Sequence, residues 1–305
     1  MYTYDVLYIG NYTKDTIISP SGTRVVDGGS VNYGASAAAR LGCRVAVVTR
    51  LAKEDARVVE RLTAQGVECY PTYTPHSTCL TLEYPTSNPD VRNLSVASTA
   101  GAITVEQVEP LNAWAAVIGA SFRGEVGLDV IRALKEKGIF LAADMQGYLR
   151  VVREGGVVAA PWEEMAETLR HLDVVKCDAV EAELLTGESD RRRSASILAG
   201  MGPKEIVLTH QDGVLVLAEG RFYEAGFYPR SLVGCSGRSK PHSVAAGRSG
   251  RGDTCIGTYM ATRLTRPPEE AMVWAAAVTS LKMEAPGPFD RTIAEVEALI
   301  KEKYT

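Results

Sequence analysis

Histidine and closely spaced cysteine are scarce in this chain of 305 residues. Its four histidines and six cysteines (Cys43, Cys69, Cys79, Cys177, Cys235 and Cys255) are scattered, with no C-x-x-C spacing. That excludes a zinc site of the usual ligand spacing and a disulfide framework, and it leaves reduced thiols in a cytoplasmic protein as the expectation. No apolar run approaches the roughly 20 residues that span a bilayer. The opening Met1-Tyr2-Thr3-Tyr4-Asp5 is broken by polar residues and an acid before an apolar core could make it a signal peptide. No membrane partner is therefore expected. Excess positive charge is absent too: 33 Lys and Arg stand against 37 Asp and Glu, a net charge of −4. A nucleic-acid surface is not expected on such a chain. Any polyanionic ligand must be held by local groups rather than by a basic field.

What is present is ordinary for a soluble globular protein: 46% hydrophobic and 23% charged residues. Single cores stop growing near about 250–300 residues, so the length implies one large domain with a subsidiary piece. One stretch stands out, Gly247-Arg248-Ser249-Gly250-Arg251-Gly252-Asp253-Thr254-Cys255. A Gly-rich turn feeding a helix leaves unpaired backbone N–H groups pointing one way, and the helix dipole adds partial positive charge. This is an anion site. An acid inside it makes chemical sense if it takes a proton from a group that attacks the anion, which points to phosphoryl transfer with Asp253 as general base. The alternative is a glycine-bearing helix start with Asp253 as a helix cap.

The rest of the chain alternates. Short apolar runs at 6–9, 45–48, 115–119, 139–143, 174–176 and 206–209 read as buried strands, and 31–41, 54–65, 124–137, 162–172, 178–186, 191–199, 271–283 and 292–303 read as helices. Strand–helix alternation predicts an α/β fold, a parallel sheet covered on both faces. Two stretches break the rhythm. Residues 16–27, with the turn Pro20-Ser21-Gly22, and residues 69–96, rich in Tyr, Thr and Pro, predict strands of a separate small sheet forming a lid from about 13–27 and 70–97. Residues 213–218 and 221–225 predict a hairpin at one edge. Polar groups follow strand ends at Asp15 and at Asp144 to Arg150, where ligands gather in open α/β sheets. The segment 234–250 reads as a mobile loop, and its cations Arg238, Lys240 and Arg248, with Arg251, precede the anion nest.

These residues resemble the ribokinase-like (PfkB) carbohydrate kinases over nearly the whole length. The elements that carry the resemblance come in the family's order: Gly10 and Asp15 after the first strand; Gly28-Gly29 leading to Asn32 and an alanine-rich helix; Asp178 to Gly187, like the family's N-x-x-E segment with its trailing L-T-G; Thr209 and Gly213; and Gly250-Arg251-Gly252-Asp253, like its G-A-G-D signature. The resemblance implies a three-layer α/β/α Rossmann-like sandwich with a β lid. It implies transfer of the γ-phosphoryl of ATP, with Mg²⁺, to a substrate hydroxyl, and a monovalent cation as a further candidate cofactor. Asp253 would be the base, and Gly250, Arg251 and Gly252 the anion hole. Glu181 would place the metal, with Asp178, Thr209 and Gly213 near the nucleotide. Asp15, Gly28, Gly29 and Asn32 would hold substrate hydroxyls, and Gln146 and Arg150 face acceptor or phosphate. Three residues depart from the pattern: Arg251 for alanine, Asp178 for asparagine and Gln211 for glycine.

The acceptor expected is a sugar or polyol, with the inositol branch nearest. A nucleoside kinase of the same fold and a non-catalytic, kinase-like ligand-binding regulator are the alternatives. A homodimer through the lid edges is also expected.

Overall fold

The computed structural model describes residues 2–20, 22–86, 93–229 and 249–304. Arg238, Lys240, Arg248 and Cys235 lie outside these described residues. So does most of the segment 234–250.

Nine strands form the main sheet: β1 (Tyr4–Ile9), β4 (Val45–Ala52), β5 (Glu68–Thr74), β8 (Ala113–Ile118), β9 (Phe140–Asp144), β12 (Val174–Asp178), β13 (Glu205–Thr209), β14 (Gly213–Ala218) and β15 (Arg221–Gly226). Their order is β15-β14-β13-β12-β9-β8-β1-β4-β5, parallel from β13 through β5, with β14 and β15 antiparallel at one edge. Alternation within each strand divides the core. Val6 and Tyr8 of β1 face one layer, Leu7 and Ile9 the other, as a two-residue repeat requires.

On the Tyr8 side lie α1 (Ser30–Arg40) and α2 (Arg57–Ala64). On the Leu7 side lie α3 (Val105–Val108), α4 (Leu128–Glu136), a short α5 (Gln146–Leu149), α6 (Met165–His171), α7 (Ala179–Thr186) and α8 (Arg191–Gly200). Helices α9 (Arg251–Arg263) and α10 (Pro268–Lys282) join the Tyr8 layer, and α11 (Ile293–Lys303) packs outside α10. The result is a three-layer α/β/α sandwich.

Small residues let α1 and α9 approach closely. A Cβ on Gly257 would lie 2.7 Å from the Gly34 Cα, so the alanine-rich composition of α1 reflects helix packing above the sheet.

A second sheet, ordered β10-β11-β7-β6-β2-β3, stands at the C-terminal ends of the parallel strands. It comprises β2 (Thr13–Ser19), β3 (Gly22–Gly28), β6 (Thr78–Glu83), β7 (Asn93–Ser98), β10 (Arg150–Arg153) and β11 (Gly156–Ala159). Its make-up differs from the sequence expectation at two places. The 68–74 strand pairs in parallel with β4 and belongs to the main sheet, because the preceding helix α2 returns the chain to that sheet as a crossover unit does. The β10–β11 hairpin joins β7 instead; its signal is two Val pairs around Glu154 and Gly155, whose φ of 50° and 76° make a tight hairpin turn. Helix 54–65 is also split: residues 53–55 form a 3₁₀ turn before α2. Residues 124–127 precede α4 rather than open it. No described helix is long and apolar enough to cross a membrane, and the five described cysteines are free thiols.

Candidate active site

In the parallel sheet the chain leaves β1 toward β4 and later returns to its other side through β8. Ligands bind at such a switch point, outside the carboxyl ends of the strands. Here Gly10 and Gly119 end the two strands so closely that a Cβ on Gly10 would sit 2.4 Å from the Gly119 carbonyl oxygen. A cavity of about 870 Å³ opens above them. The main sheet and α9 form its floor; β2, β3, β6 and β7 roof it.

Into this cavity the structure brings Asp15, Gly29, Gln146, Arg150, Asp178, Glu181, Thr209, Gly250, Arg251, Gly252 and Asp253. Three other sequence candidates lie outside its lining. Gly28 is the place where a side chain would strike Asp15: a Cβ there would be 2.4 Å from Asp15 Oδ2. Asn32 is wholly buried, donating to the Asp27 carbonyl at 2.9 Å and accepting from Arg61 at 2.7 Å. Gly213 starts β14, where a Cβ would meet the Ala225 carbonyl of β15 at 2.2 Å.

At the heart of the site is α9. Gly250 precedes it with φ 72°, and no side chain caps it, so its first amides are open to the cavity. Asp253 lies in the first turn. Burial and the Asp144 charge push its carboxyl up to about 6, while the Lys176 and Arg150 charges pull it back. The side chain of Arg251 turns toward Phe227, its guanidinium carbon 5.9 Å from the ring centroid, while the residue still lines the cavity.

The sequence reading did not single out Lys176. It lies at the middle of β12, in register with Asp144 at the end of β9, and its Nζ lies 2.9 Å from Asp144 Oδ2 and 4.0 Å from Glu181 Oε2. Its side chain is 5% exposed. Burial alone would lower its pKa, but Asp144 and Glu181 hold the ammonium well above the ordinary range. Gly252 is what admits it: a Cβ there would stand 2.5 Å from the Lys176 Nζ. A permanent cation is thereby fixed beneath the open amides. Thr13, Arg24, Ser30, Ser121 and the leucines Leu80, Leu82 and Leu94 are further lining residues that sequence spacing did not reveal.

Asp178 and Glu181 form a capping box on α7: Asp178 N donates to Glu181 Oε2 at 2.7 Å, and Glu181 N to Asp178 Oδ1 at 2.8 Å. An aspartate at 178 thus serves the helix start as the family's asparagine could. Burial pushes the Glu181 carboxyl up to about 7, against the pull of Lys176. Among the described residues no cluster of three His, Cys, Asp or Glu side chains could enclose a metal. A Mg²⁺ ion commonly keeps its waters and uses one or two carboxylates plus substrate phosphates. Glu181, whose carboxylate lines the cavity, fits that mode.

The same architecture occurs in solved structures. A pyrophosphate-dependent kinase in the ribokinase family, complexed with a pyrophosphate analogue and myo-inositol, is 34% identical with a TM-score of 0.84, over 96% of this chain and 99% of its own. The chain belongs to the ribokinase family. A second member, a pyrophosphate-dependent myo-inositol-1 kinase converted into a myo-inositol-3 kinase by two substitutions to leucine, is 33% identical with a TM-score of 0.84, over 98% of this chain and all of its own. A cytidine kinase of Thermococcus kodakarensis is 26% identical over 263 residues, 84% of this chain and 87% of its own. No family model matches the chain. The Gly250–Asp253 turn lies in the cavity, and a second sheet is present beside the main one.

Proposed function

We propose that this ribokinase-family protein transfers a phosphoryl group from inorganic pyrophosphate to a hydroxyl of a polyol of the myo-inositol type, with Asp253 as general base. The observation that carries the reading is the position of Asp253. Its carboxylate, in the first turn of α9, lines the same cavity as the uncapped start of that helix and as Thr13, Asp15, Gln146 and Arg150, to which the reading gives the acceptor hydroxyls. In the step, the Asp253 carboxylate takes the acceptor O–H proton as the oxygen bonds to phosphorus. The bridging P–O bond breaks, and its electron pair leaves on the departing phosphate. The amides of residues 250–253 and the Lys176 ammonium neutralise charge on the transferring group. Bound Mg²⁺ would screen the phosphate oxygens, with Glu181 orienting it or its waters.

Sequence reading alone favours ATP as donor. One feature favours pyrophosphate: the relatives at 33% and 34% identity are pyrophosphate-dependent. A matrix of pyrophosphate, ATP and CTP against myo-inositol, ribose and cytidine tests both assignments. Pyrophosphate with myo-inositol is expected to give the highest kcat/KM and release orthophosphate. A higher value with ATP refutes the donor, a higher value with cytidine refutes the acceptor, and saturable binding without product from any pair leaves a ligand-binding regulator.

The roof of the cavity adds an expectation about regiochemistry. Leu80, Leu82 and Leu94 wall its acceptor side, and leucine substitutions move one relative from the 1- to the 3-hydroxyl of myo-inositol. The 3-phosphate is therefore the expected product here, and Leu80→Asn with Leu94→Ser should shift it toward the 1-phosphate. The two are mirror images, so chiral chromatography of the product is the measurement. A wild-type product that is wholly 1-phosphate contradicts the expectation.

A further inference from the structure

Lys282 ends α10 and is 3% exposed. An ammonium is costly to bury without partners. This one donates to the Ser249 carbonyl and lies over the Tyr33 ring, 5.1 Å from its centroid. Tyr33 is itself seated against the next residue of the turn, since a Cβ on Gly250 would come within 2.2 Å of its ring. Three elements therefore meet where the chain turns into the anion nest: α10 through Lys282, α1 through Tyr33, and the Ser249–Gly250 peptide. Ser249 and Tyr33 line the cavity, and Lys282 stands behind them.

We infer that Lys282 is a positioning residue for the anion nest: its ammonium clamps the Ser249–Gly250 peptide and holds a fixed positive charge behind it, so that a dianionic phosphoryl group binds at the start of α9. The consequence for turnover rests on the phosphotransfer reading above, but the binding of a dianion can be measured without turnover.

The charge is switchable. Burial pulls the Lys282 ammonium down to about 8, and the Asp253 charge restores part of the loss. The groups around it are Asp253 of α9, Tyr33 of α1 and, in the following turn, Glu284, which pairs with Arg291 at 3.6 Å. Beyond Tyr33 stand Asp15 of β2, Asp27 of β3 and Arg61 of α2. Below about pH 8 the ammonium is charged and supports anion binding; above it the charge and its support are lost.

Sulfate is a suitable probe because it stays a dianion across this range. Its affinity for the full chain is measured by calorimetry from pH 6.5 to 9.5 in wild type, Lys282→Met and Lys282→Arg. Wild type should weaken through pH 8. Lys282→Met should bind on the order of tenfold more weakly at pH 7 and lack that step, while Lys282→Arg, whose guanidinium stays charged, should hold its affinity to pH 9.5. Equal affinity and equal pH dependence in wild type and Lys282→Met overturn the inference, as does a wild-type step at pH 8 retained in Lys282→Arg. If Lys282→Met lacks a cooperative thermal melt, the comparison of wild type with Lys282→Arg decides. Expected sulfate binding together with no turnover from any donor and acceptor refutes the phosphotransfer reading and leaves this inference standing.

Discussion

Asp253→Asn is expected to lower kcat by about 10²–10⁴, the range for loss of a positioned general base, while sulfate or pyrophosphate binding survives. The amide cannot accept the acceptor proton, but the helix amides and Lys176 that hold the anion are untouched. In wild type the rate should fall as pH drops through about 6, because burial and the Asp144 charge raise the Asp253 carboxyl to that value and only the ionised form accepts a proton. The variant's residual rate should lack this limb.

Stability should move the other way. A carboxyl whose folded pKa lies above its unfolded value favours the folded state at low pH, and that advantage is lost as pH rises from about 4 to about 6. At pH 7 the native protein therefore carries an unfavourable buried charge. The neutral amide should recover on the order of 1–3 kcal/mol, less the attraction of Lys176 that the carboxylate loses. Greater thermal stability with lost turnover is the pattern of a strained catalytic group. Turnover within threefold of wild type would dismiss Asp253 as base.

The fold was legible because its signals are local. Val6 to Ile9, Val45 to Val48 and Ala113 to Ile118 are continuous apolar runs, and a strand buried on both faces allows little else. The Gly250–Asp253 turn was legible for a related reason: close backbone approach to a ligand needs glycine, and glycine marks itself in sequence. Lys176 was not legible. A lysine at a strand end reads as a solvent-facing terminus, and its partner Asp144 lies 32 residues away, brought alongside only by the parallel pairing of β9 with β12. Asn32 misled in the opposite direction. It follows a Gly-Gly pair at a helix start, yet its amide is spent on Asp27 and Arg61, and those partners depend on where α2 docks. Strand 68–74 belongs to the main sheet and not to the lid expected from sequence: its Pro71, Tyr70 and Tyr73 suit an edge, and both sheets have edges.

Lys176→Met is the substitution expected to do the most damage. The side chain is of similar length and wholly apolar, so what it removes is one charge. That charge is shared: Asp144 is hydrogen-bonded to it, Glu181 lies within 4.0 Å, and Asp253 also feels it. Removing one partner of a buried pair costs about 3–5 kcal/mol, because the other charges stay buried without compensation. The loss should depend on pH with a definite sign. Lys176 holds down the carboxyls of Glu181 and Asp253, which burial already raises to about 7 and about 6. Without it both rise further, and a group whose folded pKa is raised stabilises the fold at low pH and ceases to do so as pH climbs. The variant should therefore melt at a higher temperature at pH 5.5 than at pH 7.5. Thermal melts across that range, with Lys176→Met paired against the double variant that also carries Asp144→Asn, make the measurement. The double variant should recover part of the lost stability at pH 7.5 but none of the turnover, since the cation under the amides is still missing. A Lys176→Met protein as stable and as active as wild type at pH 7.5 would show that the amides alone hold the anion. The cation enclosed by carboxylates would then be an ornament of the core, although the glycine at 252 leaves room for it at the mouth of the nest.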